Sequence, residues 1–104
     1  MEIDGVDVGG WERRVGAPEL NGTPRQVGWA RGIRASMVGG ISRSLKQAQA
    51  AFRDPDDARW ASGRADRVVR LLLSRRSASW WIAHRDDNPL DVADAAMREL
   101  DRLG

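Results

Sequence analysis

The chain has 104 residues, with 17 basic and 15 acidic side chains, one histidine and no cysteine. This length suits one domain with a single modest core, and the lack of cysteine excludes a disulfide framework and a Cys/His zinc site. We see no secretory signal and no apolar stretch of about 20 residues that could span a bilayer, so we expect a cytoplasmic protein that does not act in a membrane.

The charges are unevenly distributed along the chain although the net charge is only +2. Residues 20–52 include five basic side chains and no acidic one, whereas residues 86–104 include six acids and two arginines. One interpretation is that the basic and the acidic regions face each other within the fold or form ordinary solvated helix faces. The alternative is a basic surface that binds phosphate groups or an acidic partner.

Residues 1–19 are rich in glycine and are expected to form an arm, followed by a helical domain over residues 20–104. The Gly9-Gly10 pair suits a two-residue hairpin turn, and a flexible, loosely ordered arm is the alternative. Trp11 and Leu20 are the residues expected to dock on the helical body.

The first helix of the domain is predicted to begin at Thr23, where Pro24 and Gln26 complete a capping box with a proline. It should run to about Val38, because Gly39-Gly40 costs roughly 1 kcal/mol per glycine and should bend or end it. Ser42 then offers a cap for a second piece, which would end before Asp54-Pro55.

Three further helix starts are expected downstream. Asp54-Pro55 opens a helix to about Ser74, Ser77 caps a short segment with Trp80 and Trp81, and Asn88-Pro89 opens a helix to the C-terminus. The Ser77 segment is expected to close over the first helix. The sequence therefore predicts an all-α fold, a compact single-domain bundle of about four helices with a short irregular or hairpin N-terminal arm.

Helical spacing also selects the core. Adjacent residues on a helix point about 100° apart, so one of the two neighbouring tryptophans should reach a rim, and we assign that position to Trp81. The remaining apolar residues of the two segments are predicted to form the structural core: Trp29, Ile33, Met37, Trp80 and Ile82.

Enzyme activity is not expected. His84 is the one general base of the usual kind, its neighbours are local, and Gly39-Gly40 lacks the lysine and the strand of a phosphate loop. We therefore predict no catalytic residue, no cofactor and no metal.

Binding is the more favoured class of function. Ala35, Gly39 and Leu45 have the spacing of a helix-turn-helix, in which the segment 42–50 would be the recognition helix. Basic side chains interleaved with tryptophan also suit stacking and charge contacts with single-stranded nucleic acid. The candidate contacts to a partner or to nucleic acid are Arg25, Arg31, Arg34, Arg43, Lys46, Arg75, Arg76, Trp81 and Arg85.

Two segments, GTPRQVGWARGIR and SASWWIAHR, resemble a motif pair, TGTxKQxxWAxxIR and TxAxWWIDxR, of small and mostly uncharacterised bacterial, phage and plasmid proteins. The segments depart from it at Arg25, where lysine is usual, and at Ala83, where an aspartate is usual. A cysteine-rich zinc segment of some relatives is missing. The resemblance implies a mobile-element protein in a bacterial host cytoplasm, with a helical scaffold tied by tryptophans and no particular reaction.

We therefore expect a non-enzymatic accessory protein that binds a host protein or protein–nucleic-acid complex, including an inhibitor of a defence complex such as CRISPR. The alternative is a small nucleic-acid-binding protein, similar to a helix-turn-helix, that uses the arginine-rich surface of residues 25–46. A homodimer through the C-terminal helix stays open as well.

Overall fold

Five helices account for most of the chain described by this computed structural model, which covers residues 2–3 and 6–103 and describes side chains from 8 to 103. The predicted all-α, single-domain fold is confirmed. None of the described helices combines the length and apolar character needed to cross a membrane. The helices are α1 (Val8–Val15), α2 (Pro24–Ala50), α3 (Pro55–Leu73), α4 (Ala78–Ala83) and α5 (Pro89–Leu103), preceded by the two-residue strands β1 (Glu2–Ile3) and β2 (Val6–Asp7).

The N-terminal segment is more regular than the glycine content indicates. Strands β1 and β2 pair antiparallel, with Ile3 opposite Val6, and helix α1 follows directly. The predicted turn at Gly9-Gly10 is wrong, because both glycines lie inside α1. Burial of Val8, and of part of Trp11 against the core, offsets the cost of two glycines in a helix.

The arm also docks where it was expected to. Leu20 is buried in the main hydrophobic cluster, and Trp11 packs against it. Helix α1 contacts α2.

Four of the five predicted helix starts are confirmed, at Thr23, Asp54, Ser77 and Asn88. The Thr23 cap is reciprocal: the Gln26 N–H donates to Thr23 Oγ1 at 3.2 Å, and the Thr23 N–H donates to Gln26 Oε1 at 3.0 Å. The other caps accept one backbone N–H each, at Asp54, Ser77 and Asn88.

Helix α2 is one continuous helix of 27 residues, about 40 Å long. The predicted interruption at Gly39-Gly40 and the predicted second start at Ser42 are both wrong. Val38 and Ile41, on either side of the glycine pair, are fully buried. Their burial outweighs a cost of about 2 kcal/mol for two glycines.

Helices α3, α4 and α5 pack around α2, and α4 closes over it as predicted. Trp81 of α4 is fully buried, and its Nε1–H donates to the Arg75 carbonyl at 2.7 Å. Val92, Ala93 and Ala96 of α5 pack within the chain, whereas Leu90 and Leu103 of the same helix are exposed.

Candidate docking groove on helix α2

The two segments that carry the motif resemblance lie side by side. Asn21 and Ser77 form a parallel bridge, and the Ala78 N–H donates to the Asn21 carbonyl at 2.9 Å. Gly22 has φ +153°, and a Cβ at this position would lie 3.0 Å from the Ala78 Cβ. A side chain at position 22 would therefore crowd this contact, which joins the start of α2 to the start of α4.

Arg34 is buried, contrary to the prediction that it faces solvent as a binding residue. It is 1% exposed, its Nη2 donates to Glu12 Oε2 at 2.9 Å, and its Nη1 donates to the Pro18 carbonyl at 2.8 Å. Arg31 also pairs with Glu12, at 2.6 Å. The acidic partner of both arginines is therefore Glu12 of helix α1, which lies outside the acid-free segment 20–52.

This ion cluster shifts the titration of its members. The hydrogen bond from Arg31 is the largest influence on Glu12, and with Arg34 it lowers the pKa of that carboxyl below 4.5, against the opposing effect of burial. Burial lowers the pKa of Arg34, and Glu12 partly offsets the change. Both groups stay charged at neutral pH, so the cluster ties α1 to α2.

The burial of Trp29 and of Trp81 is the opposite of what the sequence predicted. Trp29, predicted as core, is 54% exposed, whereas Trp81, predicted as the outer member of its pair, is 0% exposed. Trp80 is partly buried against the core and meets Trp81 edge to face. The buried face of α2 runs through Ala30, which leaves Trp29 at the edge of that face.

Arg85 covers the exposed Trp29 ring. Its Cζ lies 5.2 Å from the ring centroid, a distance at which a guanidinium is attracted to an aromatic face. Its Nη1 also donates to the Ile82 carbonyl at 2.6 Å. The last residue of the second motif segment therefore contacts the central tryptophan of the first.

This pair borders an open, mostly apolar groove of about 740 Å³. One wall is the α2 face from Gly28 to Met37, and the other is the turn between α4 and α5. Leu90, 54% exposed, follows that turn. The lining residues are Gly28, Trp29, Gly32, Ile33, Ser36, Met37, Arg85, Asp87 and Pro89.

The other predicted contacts are dispersed. Arg25, Arg43 and Lys46 are exposed, but Arg43 lies 18 residues from Arg25 along α2, a separation of about 27 Å. Arg75 pairs with Glu99, and Arg76 Nε donates to the Glu19 carbonyl at 3.0 Å. The basic residues therefore do not form one patch. Of the remaining predicted core residues, Met37 is buried, and Ile33 and Ile82 are partly buried against the core.

The helix-turn-helix prediction is wrong in its geometry. Because α2 continues through Gly39 and Ser42, the segment 42–50 is the end of a long helix and not a separate recognition helix. Within the described part of the chain, no cluster of three or more His, Cys, Asp or Glu side chains could hold a metal ion.

The groove itself was missed by sequence reasoning, although its spacing was visible. Gly28, Gly32 and Ser36 recur every four residues and so share one side of α2, and this row of small residues could have marked a recessed face. The contact between Trp29 and Arg85 had no signal within the sequence. Comparison of the chain with protein-family models, curated proteins and solved structures finds no match.

Proposed function

We propose that this protein is a non-enzymatic binding module and that the groove beside Trp29 is its contact surface for a partner protein. The observation that carries this proposal is the half-exposed Trp29 ring, covered by Arg85 at the edge of an apolar groove. Tryptophan and arginine dominate the few residues that supply most of the binding energy in protein interfaces.

The motif resemblance supports the biological setting of the proposal. It favours an accessory protein of a phage or plasmid that acts in a bacterial host, and its partner would be a host protein. A defence complex such as CRISPR is the partner class that we would test first. Trp29 and Arg85, the pair at the groove, both belong to the segments that carry the resemblance.

Substitution of Trp29 tests the proposal. Trp60 offers a matched control, because it is 61% exposed and has Arg64 5.6 Å from its ring centroid. We expect the wild type and Trp60→Ala to capture the same partner from host lysate. The Trp29→Ala variant should bind that partner about tenfold or more weakly than the wild type does. Equal capture by both variants would exclude the groove as the contact surface.

Nucleic-acid binding is the second candidate function. It is supported by the exposed Arg25, Arg43 and Lys46 on α2, a helix that contains no acidic residue. Fluorescence anisotropy tests this candidate. Binding of short single- and double-stranded oligonucleotides is measured at about 50 and about 200 mM salt. Binding that collapses at the higher salt and weakens in Arg43→Ala would favour it. No binding at the lower salt would exclude it.

A further inference from the structure

The outer face of helix α3 presents the most exposed aromatic ring of the described chain. Trp60 is 61% exposed, against 54% for Trp29 and 43% for Phe52, and it points away from the buried residues Val68 and Leu72 of its own helix. A single exposed apolar side chain is common on protein surfaces, so Trp60 alone does not define a site. The charges around it provide a second observation.

The charges of α3 are ordered along the helix. Its first half is mostly acidic and its second half mostly basic, in the order Asp56, Asp57, Arg59, Arg64, Asp66, Arg67 and Arg70. Asp56, Trp60, Gly63 and Arg67 are three or four residues apart and therefore share one face. The face thus has a carboxylate at one end, a guanidinium at the other, and the tryptophan beside a glycine between them.

A second copy of α3 complements this face when the two helices run antiparallel. With a twofold axis beside the middle of the 61–62 segment, Asp56 of each copy faces Arg67 of the other. Trp60 of each copy then lies over Gly63 of the other, where no side chain obstructs the ring. Parallel pairing would place each charge opposite its own copy, which is repulsive. A surface that complements itself about a twofold axis is what a symmetric dimer requires.

The neighbouring charges agree with the same pairing. Arg59 and Asp66 lie seven residues apart along one edge of the face, and the antiparallel arrangement brings Arg59 of one copy to Asp66 of the other. Lys46 of α2 borders Asp66, so this edge pair is the weaker one. Arg64 is already paired with α5. The pair between Asp56 and Arg59 within one chain is exposed and holds neither side chain strongly.

We infer that the outer face of α3, centred on Trp60, binds the same face of a second copy of this chain in antiparallel orientation. The helix has 19 residues and is about 28 Å long. One helix face of this length gives an interface at the small end of the range for specific complexes, so the dimer forms at micromolar and not at nanomolar concentrations. The inference is independent of the proposed function, because the lining of the α2 groove includes no residue of α3.

Sedimentation equilibrium of the full-length chain, from about 1 μM to about 1 mM, tests the inference. We expect a reversible dimer for the wild type. Trp60→Ala should weaken it about tenfold or more. Trp29→Ala is the matched control, since Trp29 is similarly exposed on a different helix, and it should dimerise like the wild type. Urea unfolding checks that both variants are folded.

A charge exchange tests the orientation of the two helices. Asp56→Lys and Arg67→Glu each place like charges opposite each other twice in the symmetric dimer, so each should weaken dimerisation about tenfold. The double variant should recover most of the lost affinity, because opposite charges face each other again. A lysine in the first helical turn opposes the helix dipole, but the double variant retains that lysine, so recovery cannot result from better folding.

The outcomes decide the inference without deciding the proposed function. A wild type that stays monomeric to about 1 mM would overturn it. A dimer that is insensitive to Trp60→Ala, that is weakened instead by Trp29→Ala, or that the double charge variant fails to restore would also overturn it. Capture of a host partner is measured separately, with the bait kept below the concentration at which the dimer forms, so Trp60→Ala remains a valid control in that experiment.

Discussion

Arg34 is a buried charge whose partners come from outside its own helix. Its two Nη atoms donate to Glu12 and to the Pro18 carbonyl, while its Nε is buried with no hydrogen-bond partner among the described residues. Removing one member of a buried pair leaves the other charge unpaired, at a cost of about 3–5 kcal/mol. The attachment of α1 to α2 therefore depends on Glu12 being ionised.

Glu12→Gln should destabilise the protein at pH 7 by about 3 kcal/mol, the lower end of that range because Glu12 is itself partly exposed. The pKa of Glu12 is lowered in the folded state, so its stabilising contribution is complete above pH 4.5 and is lost as the pH falls through the lowered pKa. The melting temperature of the wild type should fall more steeply than that of Glu12→Gln as the pH is lowered from 5 to about 3.

Glu19→Gln is the matched control for this comparison, because Glu19 is an exposed carboxylate of the loop that follows α1. It should melt with the wild-type pH dependence. Parallel pH profiles for the wild type and Glu12→Gln would contradict the assignment of the ion cluster as the tie between α1 and α2.

At the scale of the element, α2 shows why a glycine pair is a weak signal for a helix end. The low helix propensity of glycine is a local effect that costs only about 1 kcal/mol per residue. Helix α2 gains more than this from packing against α1, α3, α4 and α5. Gly39 and Gly40 would place a Cβ 3.6 and 3.9 Å from the guanidinium of Arg43. Those are ordinary contacts with a flexible side chain, so the packing does not require glycine at either position.

Gly39→Ala is therefore expected to stabilise the protein by about 0.5–1 kcal/mol, because alanine loses less backbone entropy than glycine on entering a helix. Urea unfolding measures the change. Gly28→Ala should stabilise by a similar amount, since its Cβ also meets nothing. A loss of stability for Gly39→Ala alone would indicate that α2 bends or ends at the glycine pair.

At the scale of the whole molecule, local chemistry and most of the buried face of α2 were predictable from the sequence, and the exposure of Trp29 was not. The caps at Thr23, Asp54, Ser77 and Asn88 depend on neighbours within three residues, so the sequence was sufficient to place them. The exposure of Trp29 depends on which face of α2 receives α4. That choice is made by contacts between distant segments, which helical spacing alone leaves undetermined.

The same reasoning explains the error at Arg34. Residues 20–52 contain no acidic side chain, so nothing near Arg34 in the sequence indicated an ion pair. The carboxylate that pairs with Arg34 belongs to Glu12, which lies in the glycine-rich segment that was predicted to be an arm. The groove also depends on distant segments, because Trp29 of α2 stays outside the core and is covered by Arg85 from the turn after α4.

The junction between the two motif segments provides the last prediction. Gly22 has φ +153°, and an added Cβ would lie 3.0 Å from the Ala78 Cβ and 3.1 Å from Gln26 Oε1. Gly22→Ala therefore combines backbone strain with a tight contact to Ala78 Cβ, which has no rotamer to change, and it displaces the Gln26 side chain from its capping position. We expect a loss of about 3 kcal/mol or more in the free energy of unfolding.

Gly16→Ala separates the two causes, because Gly16 has φ +69° but open space around its Cβ position. It should cost about 1 kcal/mol, from backbone conformation alone. Denaturant unfolding of the two variants compares them directly. If both cost the same, the contact between Asn21–Gly22 and Ser77–Ala78 does not hold α2 and α4 together, and the two motif segments would have to be joined through Trp81 and the core instead.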